Sequence, residues 1–166
     1  MSTWHPPAPP GLHTGPLPRR SALGLGLQFG LQWLWLPFRT TWDFLSSETP
    51  SDGNAEPGRS KFVLTPSRYR LERSGTREEW EAWAARALDR GIERGLATVR
   101  SKQEFNANHR YQYKGSDMVP RTSVRRRYYR GIGLEGLAAL AARRGWQVDW
   151  QASTTAEAHL VPLRTG

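Results

Sequence analysis

The residues best able to do chemistry crowd between positions 100 and 130. Nine basic side chains lie there: Arg100, Lys102, Arg110, Lys114, Arg121, Arg125, Arg126, Arg127 and Arg130. Only Glu104 and Asp117 oppose them, so the stretch carries a net charge of +7. It also holds Phe105 and four of the five tyrosines: Tyr111, Tyr113, Tyr128 and Tyr129. Cationic side chains neutralise phosphates and release their counterions. Aromatic faces and guanidinium planes stack on unpaired bases. Interleaving the two suits a single-stranded nucleic acid, an anionic lipid surface or an acidic protein. The contact residues on this reading are Arg110, Tyr111, Tyr113, Lys114, Arg125, Arg126, Arg127, Tyr128, Tyr129 and Arg130. A merely solvated basic face has the same composition.

Catalytic chemistry is harder to find. His109 with Glu104 and Asp117 is the one acid–base grouping worth naming, as in a small metal-dependent nuclease, but nothing in the spacing demands it. A loop histidine is the plainer reading. The four histidines, His5, His13, His109 and His159, include no pair at i, i+3 or i, i+4, and the chain has no cysteine. Thiolate nucleophiles, disulfides and cysteine-ligated metals are therefore excluded. The sequence contains no G-x-S-x-G, H-E-x-x-H, P-loop or dinucleotide glycine pattern. Glu78, Glu79 and Glu81 open a helix, where they complement its dipole. Gly131, Gly133 and Gly136 read as a strand-to-helix turn, with anion binding at the helix start as a weaker option. No catalytic, cofactor or metal site is assigned, and the chain reads as non-enzymatic.

The elements that must position the basic stretch follow from the patterning of the 166 residues. Residues 1–20 hold six of the twelve prolines and read as a disordered tail. Residues 21–46 are the most apolar stretch, with no formal charge from Ala22 to Phe38. As a membrane anchor it would use Leu23, Leu25, Leu27, Phe29, Leu31, Trp33, Leu34, Trp35 and Leu36, with tryptophans at one end as interfacial residues. Ala22, Gly26 and Gly30 would form a small-residue face for a helix partner. Gln28, Gln32 and Pro37 weaken a span, and strict alternation from Leu23 to Trp35 is the period of a strand. An interfacial segment, a piece packed on protein and a cleaved signal are the other readings. Residues 47–60 carry no large apolar side chain and read as a linker.

Residues 61–166 read as the folded part. They hold twenty basic and eleven acidic residues, so the whole net charge of +9 belongs to them. Stretches 61–64 and 68–73 read as strands. Thr76 and Glu79 form a capping box before a helix over 77–99, in which Gly91 and Gly95 either weaken the helix or admit a close contact. Stretches 111–114 and 123–130 read as strands, 133–144 as a helix capped by Gly145, and 146–151 and 159–163 as a strand pair. The expected fold class is α+β: a small sheet of short strands with two packed helices, preceded by the tail and the apolar segment.

These features point to a membrane-associated adaptor whose basic domain, on the cytoplasmic side, binds an acidic partner, in a role accessory to DNA transfer or secretion. The arginine bias, with lysine only at Lys61, Lys102 and Lys114, reads as the signature of a high-GC bacterial gene. The alternatives are a soluble cytoplasmic nucleic-acid-binding protein using the 100–130 surface, and a small nuclease-like enzyme.

Overall fold

The computed structural model describes residues 14–45, 64–110 and 112–163, and of residues 36–45 only the helical backbone. The fold is α+β. Among the described residues five helices accompany one three-stranded antiparallel sheet. The chain divides into two compact units, one formed by residues 19–75 and the other by the segment up to Pro18 together with residues 76–166.

The larger unit is organised by one long helix. Its start is dictated locally: the Glu79 amide donates to the Thr76 hydroxyl at 3.3 Å, and the Thr76 amide donates to the Glu79 carboxylate at 2.9 Å. This reciprocal cap satisfies two otherwise orphaned donors. The helix (α3, Arg77–Asn108) buries Trp80, Ala84, Ala87, Leu88, Gly91 and Gly95 along one face. It runs nine residues past the expected end at 99. Seven of those nine residues are polar, and Phe105 and Ala107 alone leave no apolar period to read.

A 3-10 turn at Gly115–Met118 leads to strand β1 (Thr122–Arg125), a one-turn helix α4 (Arg126–Tyr129) and helix α5 (Gly133–Ala142). Strands β2 (Trp146–Asp149) and β3 (Glu157–Pro162) follow. β3 is central, pairing Thr122 with Leu160 on one side and Val148 with Leu160 on the other. Helix α3 packs on β1, α4 and α5, and α5 packs on β2. Alternation of inward side chains places Val124, Val148, Ala158 and Leu160 in the core, with Leu134, Leu137, Leu140 and Ala141 from α5. Gly145 ends α5 region with φ +74°, a conformation a side chain would disfavour.

Several expected strands are not strands. Residues 68–73 belong to helix α2 (Pro66–Ser74) of the smaller unit, where the Thr65 hydroxyl caps the Arg68 amide and Pro66 opens the first turn. Proline there lacks only a donor that would be unpaired anyway, which makes Thr-Pro-Ser a helix start rather than a strand joint. In the first expected strand, residues 61–63 lie outside the described residues and Leu64 is in no strand. Stretch 112–114 is irregular, and Tyr111 lies outside the described residues. The strand expected over 123–130 stops at Arg125, and α4 takes up Arg126–Tyr129.

The apolar segment is helix α1 (Ala22–Leu45), not a strand. No described helix is long and apolar enough to cross a membrane, which corrects the transmembrane reading. At 1.5 Å per residue α1 is about 36 Å long, so length is not what fails. Polarity is: Gln28, Gln32, Arg39 and Asp43 all fall within it. Gln32 has a structural task, donating to the Leu64 carbonyl at 2.5 Å and accepting from the Leu64 amide at 2.7 Å. Phe29 stacks on Tyr69 at 4.8 Å, tying α1 to α2. The buried Glu72 is held by Arg68 at 2.8 Å and Arg20 at 3.3 Å.

The end of the proline-rich segment lies along the larger unit as a strap. The Leu17 amide donates to the Arg130 carbonyl at 3.0 Å, and the Arg130 guanidinium donates to the Pro18 carbonyl at 2.8 Å. The Thr14 carbonyl accepts from the Leu134 amide at 2.7 Å and the Glu135 amide at 3.3 Å. The strap thereby caps α5 and occupies the Leu134 and Glu135 amides at the helix start. Gly133 admits this approach: at φ +74°, a Cβ would stand 2.5 Å from the Thr14 carbonyl oxygen.

Two glycine substitutions should differ in sign. A Cβ on Gly95 would meet the Arg121 carbonyl oxygen at 2.7 Å, whereas one on Gly30 would meet nothing within 4 Å. Alanine gains about 1 kcal/mol over glycine in an open helix, and forced overpacking costs about 1–3 kcal/mol. Gly95→Ala should lower the urea midpoint and Gly30→Ala should hold or raise it; equal effects would contradict the packing described.

Candidate functional site

The single basic stretch of the sequence becomes two clusters on one helix. Trp83 and Phe105 both sit on α3, about 33 Å apart at 1.5 Å per residue. Around Trp83, the Tyr128 ring lies at 6.4 Å, the Arg86 guanidinium at 5.6 Å over the indole, and the Arg127 guanidinium at 4.8 Å over Tyr128. Arg127 also donates to the Tyr128 hydroxyl at 2.9 Å. Arg86, Arg90 and Arg94 each turn Nε back to the carbonyl four residues earlier, all at 3.2 Å, forming an exposed ladder.

The cluster at the end of α3 has a different character. Phe105 and His109, one helical turn apart, stack with centroids 3.9 Å apart and planes 4° from parallel. The His109 Nδ1 lies 3.0 Å from the Phe105 carbonyl oxygen, which fixes the ring. Tyr113 meets Phe105 edge-on at 5.4 Å. Its backbone is clamped by Asn106, which donates to the Tyr113 carbonyl at 2.8 Å and accepts from its amide at 2.7 Å. The Lys102 ammonium stands 5.2 Å over the Tyr113 ring and donates to the Asp117 carbonyl at 2.9 Å. Beside it opens a cleft of ≈ 170 Å³ lined by Gly95, Thr98, Lys102, Ser116, Asp117 and Arg121, among others.

The expected contact residues divide accordingly. Arg110, Lys114 and Arg125 are exposed, and Tyr113 is half-buried in the second cluster. Arg126 donates to the Thr155 carbonyl at 3.2 Å, and Arg130 holds the strap. Arg127 and Tyr128 belong to the first cluster. Tyr129, only 5% exposed, serves the core rather than a surface. Its burial pushes the hydroxyl above its ordinary pKa, against the pull of Arg126 and with a smaller push from Glu157. Lys102 and Arg121, counted in the basic stretch but not among the expected contact residues, complete the clusters together with Trp83 and Arg86. The i, i+4 spacing of Phe105 and His109 was the available signal. His109 pairs with Phe105 rather than with Glu104 or Asp117, and among the described residues no three potential ligands converge on a metal position.

In the smaller unit, the nine expected anchor residues also separate. Leu25 is buried and Phe29 is spent on Tyr69. The side chain of Leu36 lies outside the described residues. Leu23, Leu27, Leu31, Trp33, Leu34 and Trp35 are between 54% and 88% exposed. The four leucines recur at helical spacing and so share one face of α1. Gly26 and Gly30 have open space around them. The chain matches no known family model, curated protein or solved structure.

Tyr129 yields a pH prediction. A hydroxyl whose pKa is raised by folding favours the folded state below the unfolded value of about 10, and that contribution is lost as pH rises through the higher folded value. Stability should therefore fall above about pH 10, and Tyr129→Phe should flatten that fall in urea titrations. An unchanged alkaline slope would show that Tyr129 does not ionise from a buried site.

Proposed function

We propose that this protein is an adaptor attached to an anionic membrane surface, with α1 lying in the interface rather than crossing it, and with the basic unit holding an acidic partner. The observation that carries this reading is the exposed apolar face of α1. Leaving a leucine in water forfeits about 1.5–3 kcal/mol relative to burial, and contiguous exposed apolar patches mark interaction surfaces. Trp33 and Trp35 flank the leucines, as amphipathic rings do at headgroup depth. No acidic residue lies between Arg19 and Trp35, and residues 19–75 hold eight basic against five acidic side chains. That balance complements an anionic surface, where each basic side chain contributes about 1 kcal/mol.

Four carboxylates serve structural contacts. Glu72 is held by arginines, Glu79 caps α3, Asp89 pairs with Arg144, and Glu157 accepts from Ser123 at 2.6 Å. Each is committed to the fold.

The full chain should cosediment with vesicles containing anionic lipid and less with zwitterionic ones. The double variant Leu27→Gln/Leu31→Gln, which keeps the charge, should weaken partitioning at least ten-fold, since each 1.4 kcal/mol is ten-fold. Undiminished vesicle binding by that variant, or no binding by the parent chain, would overturn the reading.

A further inference from the structure

We infer that the C-terminal end of α3 is a binding site for single-stranded nucleic acid, in which an unpaired base stacks on the outer face of His109 and a backbone phosphate enters the neighbouring Lys102–Arg121 cleft. The inference names the acidic partner of the adaptor and rests on that reading only for the adaptor's place at a membrane.

The platform is already assembled. Phe105 covers one face of His109, the Phe105 carbonyl holds Nδ1 at 3.0 Å, and the residue is exposed. An exposed ring held by Phe105 on one face loses little freedom when a base settles on it. Every base offers a π-face for such stacking, so no sequence readout is needed. A paired duplex keeps its bases stacked within itself and cannot offer that face. An acidic polypeptide supplies carboxylates but no ring for His109.

The electrostatics lie alongside. Lys102 and Arg121 line the cleft together with Thr98 and Ser116. Lys102 is steadied by the Tyr113 ring and the Asp117 carbonyl, which places its charge at the cleft rather than leaving it to sweep solvent. Arg110 and Lys114, exposed next to the platform in sequence, extend the cationic track. Asp117 also lines the cleft and opposes an anion there, while Lys102 and Arg121 outnumber it. Spacing matters as well: aromatic platform and phosphate cleft share α3 within about two turns, from Thr98 to Phe105.

The test is fluorescence anisotropy of the full chain with a labelled oligothymidine of about 12 nucleotides, a length within the single-strand site sizes known for such grooves. The same oligomer annealed to its complement and a polyglutamate of equal charge serve as competitors. Tight, salt-dependent binding to the single strand is expected. His109→Ala should weaken it roughly five- to hundred-fold, the range for one lost base–aromatic stack. His109→Phe should retain it, which separates stacking from damage to the fold. Lys102→Gln should lower the salt slope by about one. Arg77→Gln, at the other end of α3 and in neither cluster, should bind nearly as the parent does. Equal binding by His109→Ala and the parent, or equal competition by duplex or polyglutamate, would overturn the inference. So would absence of oligomer binding while vesicle binding persists, and that result leaves the membrane reading standing. Loss of vesicle binding with His109-dependent oligomer binding intact would overturn the membrane reading alone.

Discussion

Two glycines set the distance at which α3 lies along the approach to β1. A Cβ on Gly91 would stand 2.6 Å from the Thr122 hydroxyl, and one on Gly95 would stand 2.7 Å from the Arg121 carbonyl. Glycine costs a helix about 1 kcal/mol against alanine, so two of them in the middle of α3 are expensive unless the contact returns more. The contact does so by bringing the strand's start against the helix backbone. From it follow the docking of β1 on α3 and the cleft that Gly95 helps to line with Lys102 and Arg121. The same helix then carries its polar end past that contact, which is where Phe105, His109 and Tyr113 gather. Core packing and the proposed nucleic-acid site thus depend on one close approach.

The smaller unit shows a different balance. Helix α1 spends one side on structure: Gln32 pairs with the Leu64 backbone and Phe29 stacks on Tyr69. On its other side Leu23, Leu27, Leu31 and Leu34 are 54% to 88% exposed. A spanning helix would need apolar residues all round. A helix apolar on one face, edged by tryptophan and preceded by Arg19 and Arg20, fits the plane between lipid and water. The proposed attachment therefore uses the very polarity that excludes a span.

Legibility in the sequence followed how local each cause was. The Thr76–Glu79 cap, the α5 period and the alternation around Trp146 and Val148 depend on near neighbours, and all were readable. The close contact at Gly91 and Gly95 was readable as one of two options, and the structure selects it. Residues 68–73 misled because Tyr69 and Leu71 alternate over too few positions to tell a strand from one helical turn, while the decisive Thr65 cap and Pro66 lay just outside the window. The extension of α3 to Asn108 holds only Phe105 and Ala107 as apolar residues, too few to show a period. The strap of residues 14–18 could not be foreseen, because its partners at Arg130 and Leu134 are more than a hundred positions away. For the site, composition pointed to one basic stretch, which the structure divides between two clusters. It also included Tyr129, whose side chain turned out to be core. The length of α3 separates the Trp83 end from the Phe105 end by about 33 Å.

The central claim is that one chain joins a membrane surface to a nucleic-acid strand. The most direct measurement is flotation of a labelled single-stranded oligonucleotide with anionic vesicles on a density gradient, with and without the full-length protein. The account predicts that the oligonucleotide rises with the vesicles only when the protein is present. Protein that floats while the oligonucleotide stays below, or an oligonucleotide complex that excludes vesicles, would contradict it.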